Sequence, residues 1–158
     1  MRRTVCIAVG LALTVIALCP GDSAAIVGLS LKPGFTFIPD GRQPGALLQA
    51  DIGPLSPFAE VYKKSGVTTA NLGVNLAMRL PAPVFTPYVA GGGGIARISA
   101  GGATKVRALV NGLVGADVKL PGTSSLFGQI KYLYTRGGSE LAVRDIALQA
   151  GLKFHLGL

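Results

Sequence analysis

The chain has 158 residues, enough for a single domain, and its 15 Lys and Arg against 7 Asp and Glu give a net charge of +8. It is 49% hydrophobic and only 14% charged, where a soluble globular domain carries about 25% charged residues. No stretch reaches the roughly 20 apolar residues of a spanning helix, and the basic residues neither cluster nor interleave with aromatics, which excludes an obvious nucleic-acid surface.

Residues 1–25 read as a cleaved secretory signal. Arg2 and Arg3 form a positive start, residues 5–19 an apolar run, and Pro20 and Gly21 a break. Ser23, Ala24 and Ala25 then supply the small residues of a cleavage site. The mature domain is expected to span 26–158. Both cysteines, Cys6 and Cys19, fall in the signal, so the mature domain would need no oxidative folding. An alternative is lipidation of Cys19, for which Ile16-Ala17-Leu18-Cys19 is a faint motif with a bulky Leu18 where a small residue belongs.

Beyond residue 26 the dominant pattern is two-residue alternation, which in a strand puts an apolar face opposite a polar one. In 26–38, Val27, Leu29, Leu31, Phe35 and Phe37 oppose Ser30, Lys32 and Thr36, with Pro33-Gly34 as an expected bend or bulge. In 45–53, Ala46, Leu48, Ala50 and Ile52 oppose Gln49 and Asp51. Segment 57–64 is short, and its facing stays open. In 69–80, Ala70, Leu72, Val74, Leu76, Met78 and Leu80 oppose Asn71, Asn75 and Arg79.

Segment 86–98 holds four consecutive glycines, 91–94, which erase the alternation. No phosphate-loop pattern follows them, so close backbone approach is the better explanation. In 105–120, Val106, Ala108, Val110, Val114, Ala116, Val118 and Leu120 oppose Lys105, Arg107, Asn111, Asp117 and Lys119. In 126–136, Leu126, Ile130, Tyr132 and Tyr134 oppose Gln129, Lys131 and Thr135. In the last segment Ile146, Leu148, Ala150, Leu152, Phe154, Leu156 and Leu158 oppose Asp145, Gln149, Lys153 and His155.

Eight strands without a helical stripe predict an all-β chain, an eight-stranded antiparallel up-and-down transmembrane β-barrel, since closure leaves no edge. Pro-bearing turns at 53–57, 81–83 and 121–124 would lie at the periplasmic end. Short Gly-rich connections near 39–44, 64–68, 99–104 and 137–140 would lie outside. A soluble barrel also alternates, with its apolar face inward. Three features favour lipid on that face. The apolar runs are long and aliphatic, the polar faces mix charge with Gly and Ala, and Tyr88, Tyr132, Tyr134 and Phe154 fall near strand ends, where aromatic girdles sit. The expected lipid-facing set includes Leu72, Val74, Leu76, Val110, Val114, Ile146, Leu148, Leu152 and Phe154.

The glycine strand beginning Thr86-Pro87-Tyr88, the segment 126–134 and the final strand 152–158 resemble those of the small eight-stranded outer-membrane barrels, the porin-like, opacity-protein and OmpA/OmpX-type group. The chain departs from that group in ending on Leu158 where an aromatic is usual. The resemblance implies the outer membrane as address, outer-membrane lipid and lipopolysaccharide as contacts, barrel-assembly machinery during insertion, and a monomer.

The inward polar set is expected to be Lys32, Asp51, Glu60, Arg79, Arg97, Arg107, Asp117, Lys119, Lys131, Lys153 and His155, with charges paired because lone buried charges are costly. The barrel of this size has room only for side chains or one small ligand. A plugged structural interior is therefore the leading reading and a narrow anion-preferring passage the alternative. A periplasmic lipocalin-like binding barrel and a lipid-modifying enzyme stand behind both. The one histidine, His155, lies a strand length of roughly 30 Å from Ser139 and Glu140, which argues against a triad. No cofactor or metal site is expected, given no mature cysteine and one histidine.

Overall fold

The computed structural model describes residues 28–39, 44–80, 82–136 and 143–156. The expected signal, the Cys19 alternative, Ser139 and Glu140, and Leu158 lie outside the described residues. Eight strands succeed one another: β1 (Leu29–Phe37), β2 (Pro44–Ile52), β3 (Leu55–Lys64), β4 (Val67–Arg79), β5 (Phe85–Ala100), β6 (Ala103–Lys119), β7 (Ser124–Arg136) and β8 (Val143–Leu156). Each is antiparallel to the next, and β8 pairs with β1 to close the barrel. The start of β1 and the end of β8 share one end of the barrel, called here the near end. The β3–β4 and β5–β6 hairpins mark the far end.

The connections follow turn chemistry. At the far end, Ser65-Gly66 and Gly101-Gly102 all have positive φ, as two-residue hairpin turns whose twist matches the strands require. They close on the pairs Lys64↔Val67 and Ala100↔Ala103. At the near end Gly53-Pro54 joins Ile52 to Leu55.

Register sets the facing. Leu31, Leu48, Leu72, Val74, Val110, Val114, Ile130, Ile146, Leu148, Leu152 and Phe154 are exposed, while Lys32, Gln49, Asn71, Asn111, Lys131, Gln149 and Lys153 are buried. The apolar face therefore points out and the polar face in, the reverse of a water-soluble barrel. Leu76 also points outward and is half-buried. In β3, unassigned by pattern, Ser56, Phe58, Glu60 and Tyr62 point inward.

Two expectations are corrected. Pro33-Gly34 makes no bulge, because the β1–β8 register resumes unchanged from Leu31↔Phe154 to Gly34↔Gly151. Pro33 has no N–H and simply leaves a gap in the ladder. Tyr88 is no girdle residue, since it is buried inside with its hydroxyl bonded to Gln129.

Several glycines stand where the wall leaves no room for a Cβ. A Cβ on Gly34 would lie 2.6 Å from the Ala150 carbonyl oxygen and 2.8 Å from the Phe127 ring. Gly151 meets the same ring. A Cβ on Gly73 would meet the Phe58 ring at 2.9 Å, and one on Gly94 would meet the Gly73 Cα at 2.6 Å. Phe127 pairs across to Gly151 and Gly151 to Gly34, while Phe58 pairs to Gly73 and Gly73 to Gly94. The same corner, an aromatic laid on a strand-pair of glycines, thus occurs twice, half a barrel apart.

Candidate functional site

The barrel interior gathers most of the chain's polar chemistry, arranged in tiers from the near end to the far end. At the near mouth, Ser30 Oγ and Ser125 Oγ lie 3.1 and 3.3 Å from His155 Nδ1 and Nε2. Arg79 donates to the Gly53 carbonyl at 2.9 Å and pairs with Asp51 at 2.9 Å.

The next tier is a two-cation, two-anion cluster. Lys32 Nζ lies 3.2 Å from Asp51 Oδ2 and 3.1 Å from Asp117 Oδ1. Lys153 Nζ lies 3.3 and 2.7 Å from the same two carboxylates. Ser56 and Gln49 donate to Asp51 Oδ1, and Lys32 sits 4.4 Å from the Tyr88 ring centre. Ionic groups this deep are tolerable because each charge has several opposite partners.

Amides form the middle tier. The Tyr88 hydroxyl donates to Gln129, whose amide donates to Gln49 and Gln149. Gln149 in turn donates to Thr36 and Glu60. Glu60 also accepts from Asn71 at 2.8 Å and Lys131 at 3.2 Å, and Lys131 lies 3.4 Å over the Phe58 ring centre.

Beside and beyond Glu60 apolar side chains enter the interior among polar ones, Leu47 pairing across to Glu60, Leu109 to Thr135, and Leu133 to Asn111 and Asp145. Ile38, Leu47, Tyr62, Ala96, Leu109, Leu133 and Ala147 are all buried there in one cluster. Their parity is that of the polar face, so alternation alone gave no sign of them. Beyond this cluster a vestibule of about 510 Å³ opens at the far end, lined by Tyr62, Lys64, Lys105, Arg107 and Asp145 among others. Lys64 donates to Asp145.

The expected set divides accordingly. Lys32, Asp51, Glu60, Arg79, Asp117, Lys131 and Lys153 come together inside. Arg107 faces inward but stays half-exposed at the vestibule, and Lys119 is exposed at the near rim. Arg97 is a correction. Tyr88 and Ala96 of β5 are buried inside, so the same alternation turns Arg97 outward, where it is exposed. The glycine run had hidden that parity. His155 lies at the rim with two serines, which pattern reading missed because Ser30 and Ser125 sit far from it in sequence. Among the described residues no carboxylate bonds the imidazole, and both serines are buried, so these residues offer no oriented base beside an accessible nucleophile. Among the described residues no group of His, Cys, Asp and Glu could hold a metal ion.

No family model and no curated protein sequence matches the chain. Solved structures do. The crystal structure of Neisserial surface protein A aligns over 82% of this chain and 95% of its own, at 16% identity and TM-score 0.54. The N-terminal β-barrel domain of Pseudomonas aeruginosa OprF aligns over 82% and 98%, at 9% identity and TM-score 0.59. A de novo designed transmembrane β-barrel aligns over 82% and 96%, at 14% identity and TM-score 0.50. The fold is that of the small eight-stranded outer-membrane barrels.

Proposed function

We propose that the chain is an integral outer-membrane protein whose barrel is sealed and serves the envelope structurally, through contact with outer-membrane lipid and lipopolysaccharide. The supporting observation is a filled interior: paired charge, linked amides, and apolar side chains such as Leu47, Leu109 and Leu133 packed among them. An ion entering that interior would have to displace packed side chains and break paired charges to pass, since eight strands leave room only for side chains. In this reading the near end faces the periplasm and the far end the exterior. The chain works as a monomer, enters through the barrel-assembly machinery, and catalyses no reaction.

A narrow anion-preferring passage is the second reading, favoured by the basic far-end vestibule with Lys64, Lys105 and Arg107. Purified full-length protein in planar bilayers distinguishes them. The sealed barrel gives no stepwise current, whereas anion-selective steps would overturn it in favour of the passage. Fractionation with N-terminal sequencing tests the address. The expected product begins at Ile26 in the outer-membrane fraction, and a soluble periplasmic product would overturn the membrane reading.

A further inference from the structure

The four acidic residues among those described, Asp51, Glu60, Asp117 and Asp145, are all buried in the interior. The outer face therefore carries no described acid, yet it carries cations. Lys63 of β3 points outward, and on β5–β8 Arg97, Arg136 and Arg144 point outward and are exposed. The three arginines lie near the far ends of β5, β7 and β8, and none has a hydrogen-bond or ion-pair partner among the described residues. An outward Arg at the bilayer midplane costs roughly 2–4 kcal/mol, falling to about 0–1 near the interface. Their restriction to the far ends fits that cost, and an anionic headgroup there would turn it into a gain.

Register places the three in one sector. Arg97 pairs with Val106 of β6, and Arg136 pairs with Ala108 two residues further on. Arg144 pairs with Tyr134, two residues from Arg136. Neighbouring strands lie about 4.8 Å apart, so Arg97 and Arg136 flank β6 at a separation of about 10 Å across the strands.

On the other side of Arg97 lies an outward groove of about 490 Å³. Its floor is made of small residues, Ala46, Ala59 and Ala70, and its rims of Leu48, Leu72 and Ile95. The row Arg97↔Ala70↔Val61↔Ala46 crosses it one step farther out than the row Ile95↔Leu72↔Ala59↔Leu48. A cation thus stands at the outer margin of an apolar furrow, the arrangement that an acyl chain ending in a phosphorylated headgroup complements.

We propose that this far-end surface is a docking site for a phosphorylated glycolipid of the outer leaflet, of the lipid A class. Arg97 pairs with a phosphate and its groove receives an acyl chain, while Arg136 and Arg144 reach further anionic groups. Several cations spread over β5–β8 suit a headgroup with more than one phosphate better than a phospholipid with one. The inference rests on the outer-membrane reading above, which puts the far end in the outer leaflet.

The test is binding of fluorescent bis-phosphorylated lipid A to the folded full-length protein in neutral detergent. R97Q is expected to weaken binding about tenfold, as loss of a charge-assisted contact does, and R97Q/R136Q/R144Q to weaken it further. K119Q, at the near rim, should bind as the parent does. Removing an outward charge does not threaten the barrel, and retained heat-dependent gel migration confirms that each variant is folded. Unchanged affinity in the triple variant overturns the proposal. Equal retention of phosphatidylglycerol, or full competition by inorganic phosphate, overturns the glycolipid assignment. Failure of the parent to reach the outer membrane would instead overturn the reading beneath it.

Discussion

Leu148 lies in the middle of β8 with its side chain on the outer face, and Lys131 lies inside under Glu60. The two positions should answer to opposite rules. Leu148→Arg puts an unpaired charge into hydrocarbon and should cost roughly 2–4 kcal/mol, read from urea unfolding in lipid vesicles. Val74→Arg should behave alike. Normal stability of either variant would count against the facing. Inside, Lys131→Met strands the Glu60 carboxylate and should cost about 3–5 kcal/mol, whereas Glu60→Gln with Lys131→Met should recover most of it. The outward set and the charge cluster of Lys32, Asp51, Asp117 and Lys153 were legible because alternation fixes parity. Alternation carries no depth, so it gives no sign that Arg107 and Lys119 stand at the rims.

At the level of the strand, β5 shows why pattern reading fails where side chains are missing. Its glycines leave no polarity to alternate, so the sequence hides that Arg97 faces outward. Those glycines are not equivalent. Gly94 has the Gly73 backbone where its Cβ would go, while Gly91 has its nearest neighbour, the Asn111 carbonyl oxygen, at 3.8 Å. Gly94→Ala should therefore destabilise by about 1–3 kcal/mol through overpacking. Gly91→Ala should stay within about 0.5 kcal/mol. Equal unfolding midpoints for the two would sink the account of the corner. Leu109 of β6 and Leu133 of β7 escaped notice for a related reason. Each is a single apolar residue in a polar register, which in sequence reads as noise and becomes part of a cluster only when the strands close around it.

For the molecule as a whole, closure is what makes the strands stable together, since each lends its neighbours the hydrogen bonds a lipid medium cannot supply. The unboiled protein should therefore migrate differently from the boiled one in detergent gels, and identical migration would argue against a closed barrel. Strand number, pairing order and the relative facing of most strands could be anticipated from alternation and turns, but not the facing of β3 or β5. The tiers could not, because they arise from contacts such as Lys32 with Asp117, 85 positions apart in the chain.

The paired glycine corners, one at β8–β1 and one at β4–β5, divide the wall into two broad sides, β1–β4 and β5–β8. Long-range interior bonds tie the two sides together: Gln129 to Gln49, Lys131 to Glu60, Lys32 to Asp117, Lys153 to Asp51 and Lys64 to Asp145. Each joins the first half of the chain to the second. They act as struts from one side of the wall to the other, so a sideways load on the barrel falls on paired groups inside it and not on the hairpins alone.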